Sequence, residues 1–140
     1  MEMNWDACVG SKASKKISPD TELASSLRKT SEKKNYSSNM LALLEETASS
    51  KISLSYDSVR ELLEAISLEN GYKIYNHVCY TAFLKEVLDE NELAEEFDVL
   101  RVLRNDINYY GKEVSLIEAK DVLSKLNNIR KKLMKITKKQ

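Results

Sequence analysis

Arg104 is followed by Asn105 and, just over one helical turn later, by Tyr109, Tyr110 and Gly111. A guanidinium can clamp a phosphate or carboxylate with two parallel hydrogen bonds. An asparagine amide can meet a ribose, a base edge or the arginine itself, and a tyrosine hydroxyl can donate to the same ligand. This is chemistry for holding an anion. At about 100° per residue, Leu93, Phe97, Leu100 and Ile107 fall within one arc of roughly 80°, and Arg104 projects between Ile107 and Phe97. An arginine inside an apolar stripe needs a partner or a task, unless it lays its stem on the core and sends its head out to water. Its neighbours, an asparagine, two tyrosines and a terminating glycine, favour a task.

His77 is the one histidine of the chain and sits beside Asn76 at the predicted start of a helix. A lone histidine there ordinarily packs or hydrogen-bonds, and a metal site built on histidine uses two or three of them. No glycine-rich phosphate loop and no cysteine-histidine cluster accompanies it. The expectation is therefore no metal and no cofactor. Glu95 and Glu96 lie in an acidic run, where a solvated helix face explains them better than an acid-base pair. Tyr72, Tyr75, Tyr80, Tyr109 and Tyr110 flank the same region. They read as amphipathic edges of the core, and any exposed ring is able to stack a base.

The elements that position these residues are helical. Three glycines, one proline and no sustained alternation of polar and apolar residues leave little room for strands. The fold class expected is all-α, an up-and-down antiparallel bundle of about five helices. Residues 1–17 lack periodicity and read as a loose leader. A single domain follows over 18–140. Ser18, Pro19, Asp20 and Glu22 have the chemistry of a helix start: a serine cap, a proline in the first helical position, and acids in the first turn. That helix carries Leu23 and Leu27 and resumes at Met40, Leu43, Leu44 and Ala48, with Asn35 to Asn39 weakening its middle, so one helix or two remain open. A second helix starts at a Ser55 cap, runs through Tyr56, Val59, Leu62, Leu63 and Ile66, and stops at Asn70 and Gly71. A third opens near Asn76 with apolar residues around most of its circumference, which predicts a central position. The fourth covers about 91–108, and the fifth begins with a capping box at Ser115 and Glu118 and continues through Val122, Leu126, Ile129, Leu133 and Ile136.

Composition bounds the function. A chain of 140 residues with 42% hydrophobic content supports one core. Its formal net charge of +0 argues against an obligate electrostatic binder of long nucleic acid and leaves room for a local basic patch. Acidic residues gather between Glu86 and Asp98, and Arg130, Lys131, Lys132, Lys135, Lys138 and Lys139 form a basic tail. No signal peptide or long apolar span is visible, and Cys8 and Cys79 have no framework spacing. The expectations are a cytoplasmic protein, reduced cysteines, no disulfide and no membrane. The apolar circumference of the third helix and the long seam of the fifth exceed what a small bundle hides alone, which predicts a homodimer.

In the order of its elements the chain resembles the HEPN domains. The features that carry the resemblance are the second helix with Tyr56-Asp57-Ser58-Val59-Arg60-Glu61-Leu62-Leu63-Glu64-Ala65, a glycine, a histidine opening the third helix, Arg104-Asn105 near the end of the fourth, Tyr109-Tyr110-Gly111, and the capped start at Ser115. The resemblance spans roughly residues 20–137. It implies a dimeric bundle with a polar cleft at the two-fold interface. Active members of that family carry an arginine, a polar residue, three further positions and a histidine, and cut RNA without metal through the 2′-hydroxyl. By position, Arg104 matches the arginine, Asn105 the polar residue, and Tyr109 stands where the histidine belongs. A histidine near pKa 6.5 trades protons at neutral pH, whereas tyrosine near 10 is a poor base. The resemblance thus implies a degenerate module that binds a nucleotide, RNA or a protein partner through Arg104, Asn105, Tyr109, Tyr110 and His77. Its alternative is a metal-independent ribonuclease, the toxin half of a pair with a nucleotidyltransferase.

Overall fold

The structure is a computed structural model that describes residues 3–136. Lys138 and Lys139 of the basic tail lie outside the described residues. Its elements in chain order are α1 (Trp5–Gly10), β1 (Ser14–Lys16), α2 (Thr21–Met40), α3 (Ala48–Glu69), β2 (Tyr72–Ile74), α4 (Val78–Ala82), a π-helical turn (Phe83–Val87), α5 (Asn91–Tyr110) and α6 (Leu116–Met134). The molecule is a mostly helical bundle with one small antiparallel ribbon, in which Ser14 pairs with Ile74 and Lys16 with Tyr72. Among the described residues, no helix is long and apolar enough to cross a membrane.

Helix α3 is the centre, in place of the third predicted helix. It packs against α2, α5, α6 and β2. It also begins at Ala48, seven residues ahead of the Ser55 start predicted from periodicity, and Lys51, Ile52, Ser55 and Tyr56 are all buried. The signal failed because the extra turns bury serines and a lysine, which apolar periodicity does not count. Lys51 is satisfied by geometry: its ammonium donates to the carbonyls of Ser38 (2.5 Å) and Leu41 (2.7 Å) at the C-terminal end of α2.

Helix α2 is continuous through Asn35 to Asn39. Tertiary contact overrides the weak local preference there. Its buried residues are Ala24, Ser31 and Ser38, a recurrence of seven, and they face Ala65, Ser58 and Lys51 on the antiparallel α3. Small side chains let the two backbones approach closely. Ser31 Oγ donates to the Ser58 carbonyl (2.6 Å) and Ser58 Oγ returns a bond to the Ser31 carbonyl (2.7 Å), so neither buried hydroxyl is stranded. The α2 cap is Asp20, whose carboxylate accepts from the Leu23 amide (3.0 Å), rather than Ser18. Pro19 therefore precedes the cap.

The first 17 residues are not loose where they are described. Asn4 caps α1 by accepting from the Ala7 amide (2.8 Å), and Trp5 packs edge-on against Tyr72 and tilted on Phe83. Cys8 and Cys79 are joined as a disulfide across Cα atoms 6.0 Å apart, contrary to the expectation of free thiols. Their separation of 71 residues gave no spacing signal, because the proximity is created by β1 pairing with β2, two strands too short to show a period-2 pattern. Gly71 makes that pairing possible. Its φ of +83° ends α3 in the left-handed region, and a Cβ there would stand 3.0 Å from the Ile17 carbonyl oxygen.

The later helices follow their predicted caps. Gly111 closes α5 with φ of +67°, and Ser115 Oγ accepts from the Glu118 amide (3.1 Å) to open α6. Cys79, Phe83 and Leu84 in the α4 region, and Val122, Leu126, Ile129 and Leu133 in α6, are buried within the single chain. The apolar excess read as a need for a second copy is thus covered by the chain itself. Because Ser31 is fully buried in the α2–α3 contact, Ser31→Leu is expected to cost more than Ser31→Ala. About 1–3 kcal/mol of overpacking stands against about 1 kcal/mol for a lost hydrogen bond, and urea unfolding of the two variants measures the difference.

Candidate functional site

Arg104 has a partner. Its guanidinium leaves the apolar stripe of α5 toward α3, where Nη2 approaches Asp57 Oδ1 at 3.4 Å and Cζ lies 5.3 Å from the centroid of the Tyr56 ring. The face of an aromatic ring attracts a cation at this range. Tyr56 in turn stacks on Phe97, with centroids 5.7 Å apart and planes at 18°. The arginine therefore sits over a rigid two-ring floor supplied by α3 and α5.

The site is larger than the sequence indicated. Arg60 lies three residues after Asp57 on α3, and Arg101 three before Arg104 on α5, so a helical step of three brings each onto the same face as its neighbour. Arg60 reaches Glu64 at 3.1 Å and is more distant from Asp57 at 3.9 Å. Arg101 is held by Asp98, bonded at 3.0 Å through Nε and 2.9 Å through Nη2, and Thr81 of α4 donates to the same carboxylate oxygen at 2.9 Å. All three arginine side chains are less than one-fifth exposed. Asp57 is thus shared at long range by two cations. Among the described residues, Arg104 Nε and the Tyr56 hydroxyl are buried and lack hydrogen-bond partners. A buried donor left unmade costs about 1–3 kcal/mol.

Electrostatics mark the same face. Burial pushes the Tyr56 hydroxyl up to about 12, against the opposing pull of Arg104, Arg101 and Arg60. Burial also raises the Tyr80 hydroxyl above the ordinary tyrosine range, assisted by Glu64. His77, at the start of α4, is lowered from the usual histidine value first by partial removal from water, its ring resting against Tyr80 at 5.8 Å, and then by the charges of Arg60 and Arg104. Asp57 opposes that lowering. The structure therefore brings His77 into the field of Arg104, a pairing of α4 with α5 that spacing in the sequence did not reveal.

The remaining predicted residues fall elsewhere. Asn105 is half-buried on the next position of α5. Tyr109 and Tyr110 are 71% and 83% exposed at the helix end, and five residues of α-helix turn Tyr109 roughly 140° away from Arg104. These two rings do not join the arginine face. Asp57, Arg60, Tyr56 and Arg101 were missed as site residues, although the paired steps of three on two polar helix faces were present in the sequence. Among the described residues no group of three His, Cys, Asp or Glu side chains has the geometry to hold a metal ion. No protein-family model, curated protein or solved structure matches this chain.

His77 reports on the face because it is the chain's single histidine. In an NMR titration its pKa is expected to rise toward the ordinary value in Arg60→Gln and to fall further in Asp57→Asn. Since the folded protein holds this proton less tightly than the unfolded chain, the unfolded state binds more protons in the window between the two pKa values. Stability from this residue is present above the ordinary histidine pKa and declines as pH drops through that value toward the folded one. Titrations that leave His77 unchanged in both variants would place it outside the arginine field.

Proposed function

We propose that this protein is a degenerate HEPN-like module that binds a nucleotide or RNA through its phosphate. The observation that carries the reading is the convergence of Arg60, Arg101 and Arg104 on one half-buried face where Asp57 serves two of them at long range and Arg104 Nε has no partner among the described residues. Among the described residues the one carboxylate that Arg104 reaches is Asp57, at 3.4 Å, and a phosphate oxygen would be a stronger partner for this guanidinium while the Tyr56 and Phe97 rings hold it at its height.

Binding fits this site better than catalysis. The motif position that would carry the proton-transferring histidine holds Tyr109, exposed and turned away from Arg104. The reading includes a homodimer, for which α5 offers Val99, Val102 and Tyr109 on its solvent side at 67%, 45% and 71% exposure. A second copy seated along this stripe would meet the chain on the side of α5 opposite Arg104.

One observation favours the ribonuclease alternative, with a nucleotidyltransferase as its partner. His77 stands in the field of Arg60 and Arg104, and its lowered pKa keeps it neutral and able to accept a proton at pH 7. Incubation of the protein with a labelled single-stranded RNA in chelator separates the two. The expected outcome is retention of intact RNA, weakening with salt. Arg104→Ala and Arg60→Ala are each expected to lose about tenfold in affinity, within the 1–3 kcal/mol typical of an arginine contact, while the helical circular dichroism persists. Metal-independent cleavage that disappears in both Arg104→Ala and His77→Gln would establish the enzyme instead.

A further inference from the structure

A groove of about 840 Å³ runs beside the arginine face, between the N-terminal turn, α4 with its π-helical extension, and α5. Met3 and Asn4 form one wall, and Arg101, shared with the arginine face, lies on the opposite one. The N-terminal wall is lightly built. Helix α1 has six residues and one buried side chain, Cys8, and helices shorter than about 12 residues are marginal alone in water. Three attachments hold it to the bundle: the Trp5 ring on Tyr72 and Phe83, the Trp5 amide donating to Glu86 Oε2 at 2.6 Å, and the disulfide to Cys79.

We propose that the Cys8–Cys79 disulfide is a redox latch on the candidate site: oxidised, it ties down α1 and with it Met3 and Asn4, the groove wall that leads into α1, and reduced, it lets this N-terminal segment withdraw and weakens phosphate binding. The inference rests on the phosphate-binding reading above. Without the bond, α1 is left with the Trp5 packing and the Trp5–Glu86 hydrogen bond to hold it. Cys79 is flanked by Tyr80, Phe83 and Leu84, all buried in the core, so α1 is the side that moves. Its departure frees the Glu86 carboxylate from the Trp5 amide inside a groove that also holds Arg101. A further free carboxylate in the groove, beside the Asp98 that already holds Arg101, makes it less favourable to an anionic ligand.

The chemistry is thiol–disulfide exchange with a dithiol reductant. Its thiolate attacks one protein sulfur, forming a mixed disulfide and expelling the other cysteine as a thiolate. The second thiol of the reductant then closes on its own sulfur, so the protein gains two electrons and two protons and the reductant leaves as its disulfide. Both protein sulfurs are fully buried, and attack passes through local opening of α1.

The test uses the full chain, oxidised or treated with dithiothreitol, with free thiols counted in each form. Amide hydrogen exchange and capture of the labelled single-stranded RNA are then measured. Reduction is expected to raise exchange across residues 4–10 while leaving α2 and α3 protected, and to weaken RNA capture about tenfold. Cys8→Ser should behave like the reduced protein with or without reductant. Unchanged exchange on reduction would overturn the latch, as would two free thiols in the oxidised form. So would faster exchange at α1 with RNA affinity unaltered. If neither form captures RNA, the phosphate-binding reading fails and the regulation falls with it, and the exchange data still show whether α1 is released.

Discussion

The closeness of α2 to α3 sets the geometry of this molecule. Ala24, Ser31 and Ser38 lie against Ala65, Ser58 and Lys51, and large side chains at these positions would hold the helices apart. Because the contact is made by small and polar groups, its stability depends on completing every hydrogen bond. Ser31 and Ser58 exchange bonds, Arg130 Nε donates to Ser58 Oγ at 3.1 Å, and Lys51 closes the end of α2. The Lys34 ammonium and the Thr30 hydroxyl meet the Glu61 carboxylate on the same seam. With one side of α3 taken up in this way, its remaining faces receive α6, β2 and α5. The arginine face is the strip of α3 left between them.

That strip accounts for the unusual surroundings of Arg104. On an ordinary amphipathic helix an arginine in the apolar stripe would extend to water. Here α3 crosses in front of it and supplies both a carboxylate and a ring, so the guanidinium is retained at half-depth with its buried Nε–H unpaired among the described residues. The price is a buried donor that only a ligand or a further acceptor can satisfy, a cost commonly found where structure is kept for function.

The sequence made the long, strongly periodic elements legible. The stop at Gly71, the glycine end of α5, the Ser115 cap and the helical class all follow from local chemistry that tertiary contacts do not oppose. Arg104 was legible as an anomaly for the same reason. Three kinds of feature were not legible. The early start of α3 is written in serines and a lysine whose burial depends on α2. The ribbon and the disulfide join residues near 8 and 16 to residues near 72 and 79, and a periodicity argument sees no further than one element. The arginine face is composed of residues from α3, α4 and α5 whose convergence depends on crossing angles. Its components could be seen on each helix, but which helices would meet could not.

The helical hairpin formed by α2 and α3 also bears on the order of events in folding. Its contacts join residues close in sequence, across a connection of only the few residues between Met40 and Ala48, and such contacts close at the smallest loss of chain entropy. The hairpin is therefore the part of the chain best able to assemble early. When it does, the outer faces of α3 with Ile52, Tyr56, Val59 and Leu63 are ready-made, and α5 and α6 fold against an existing surface. A chain emerging from the ribosome completes this template before the last helix has been synthesised, so the long-range pairings are delayed to a stage at which their partner is already in place.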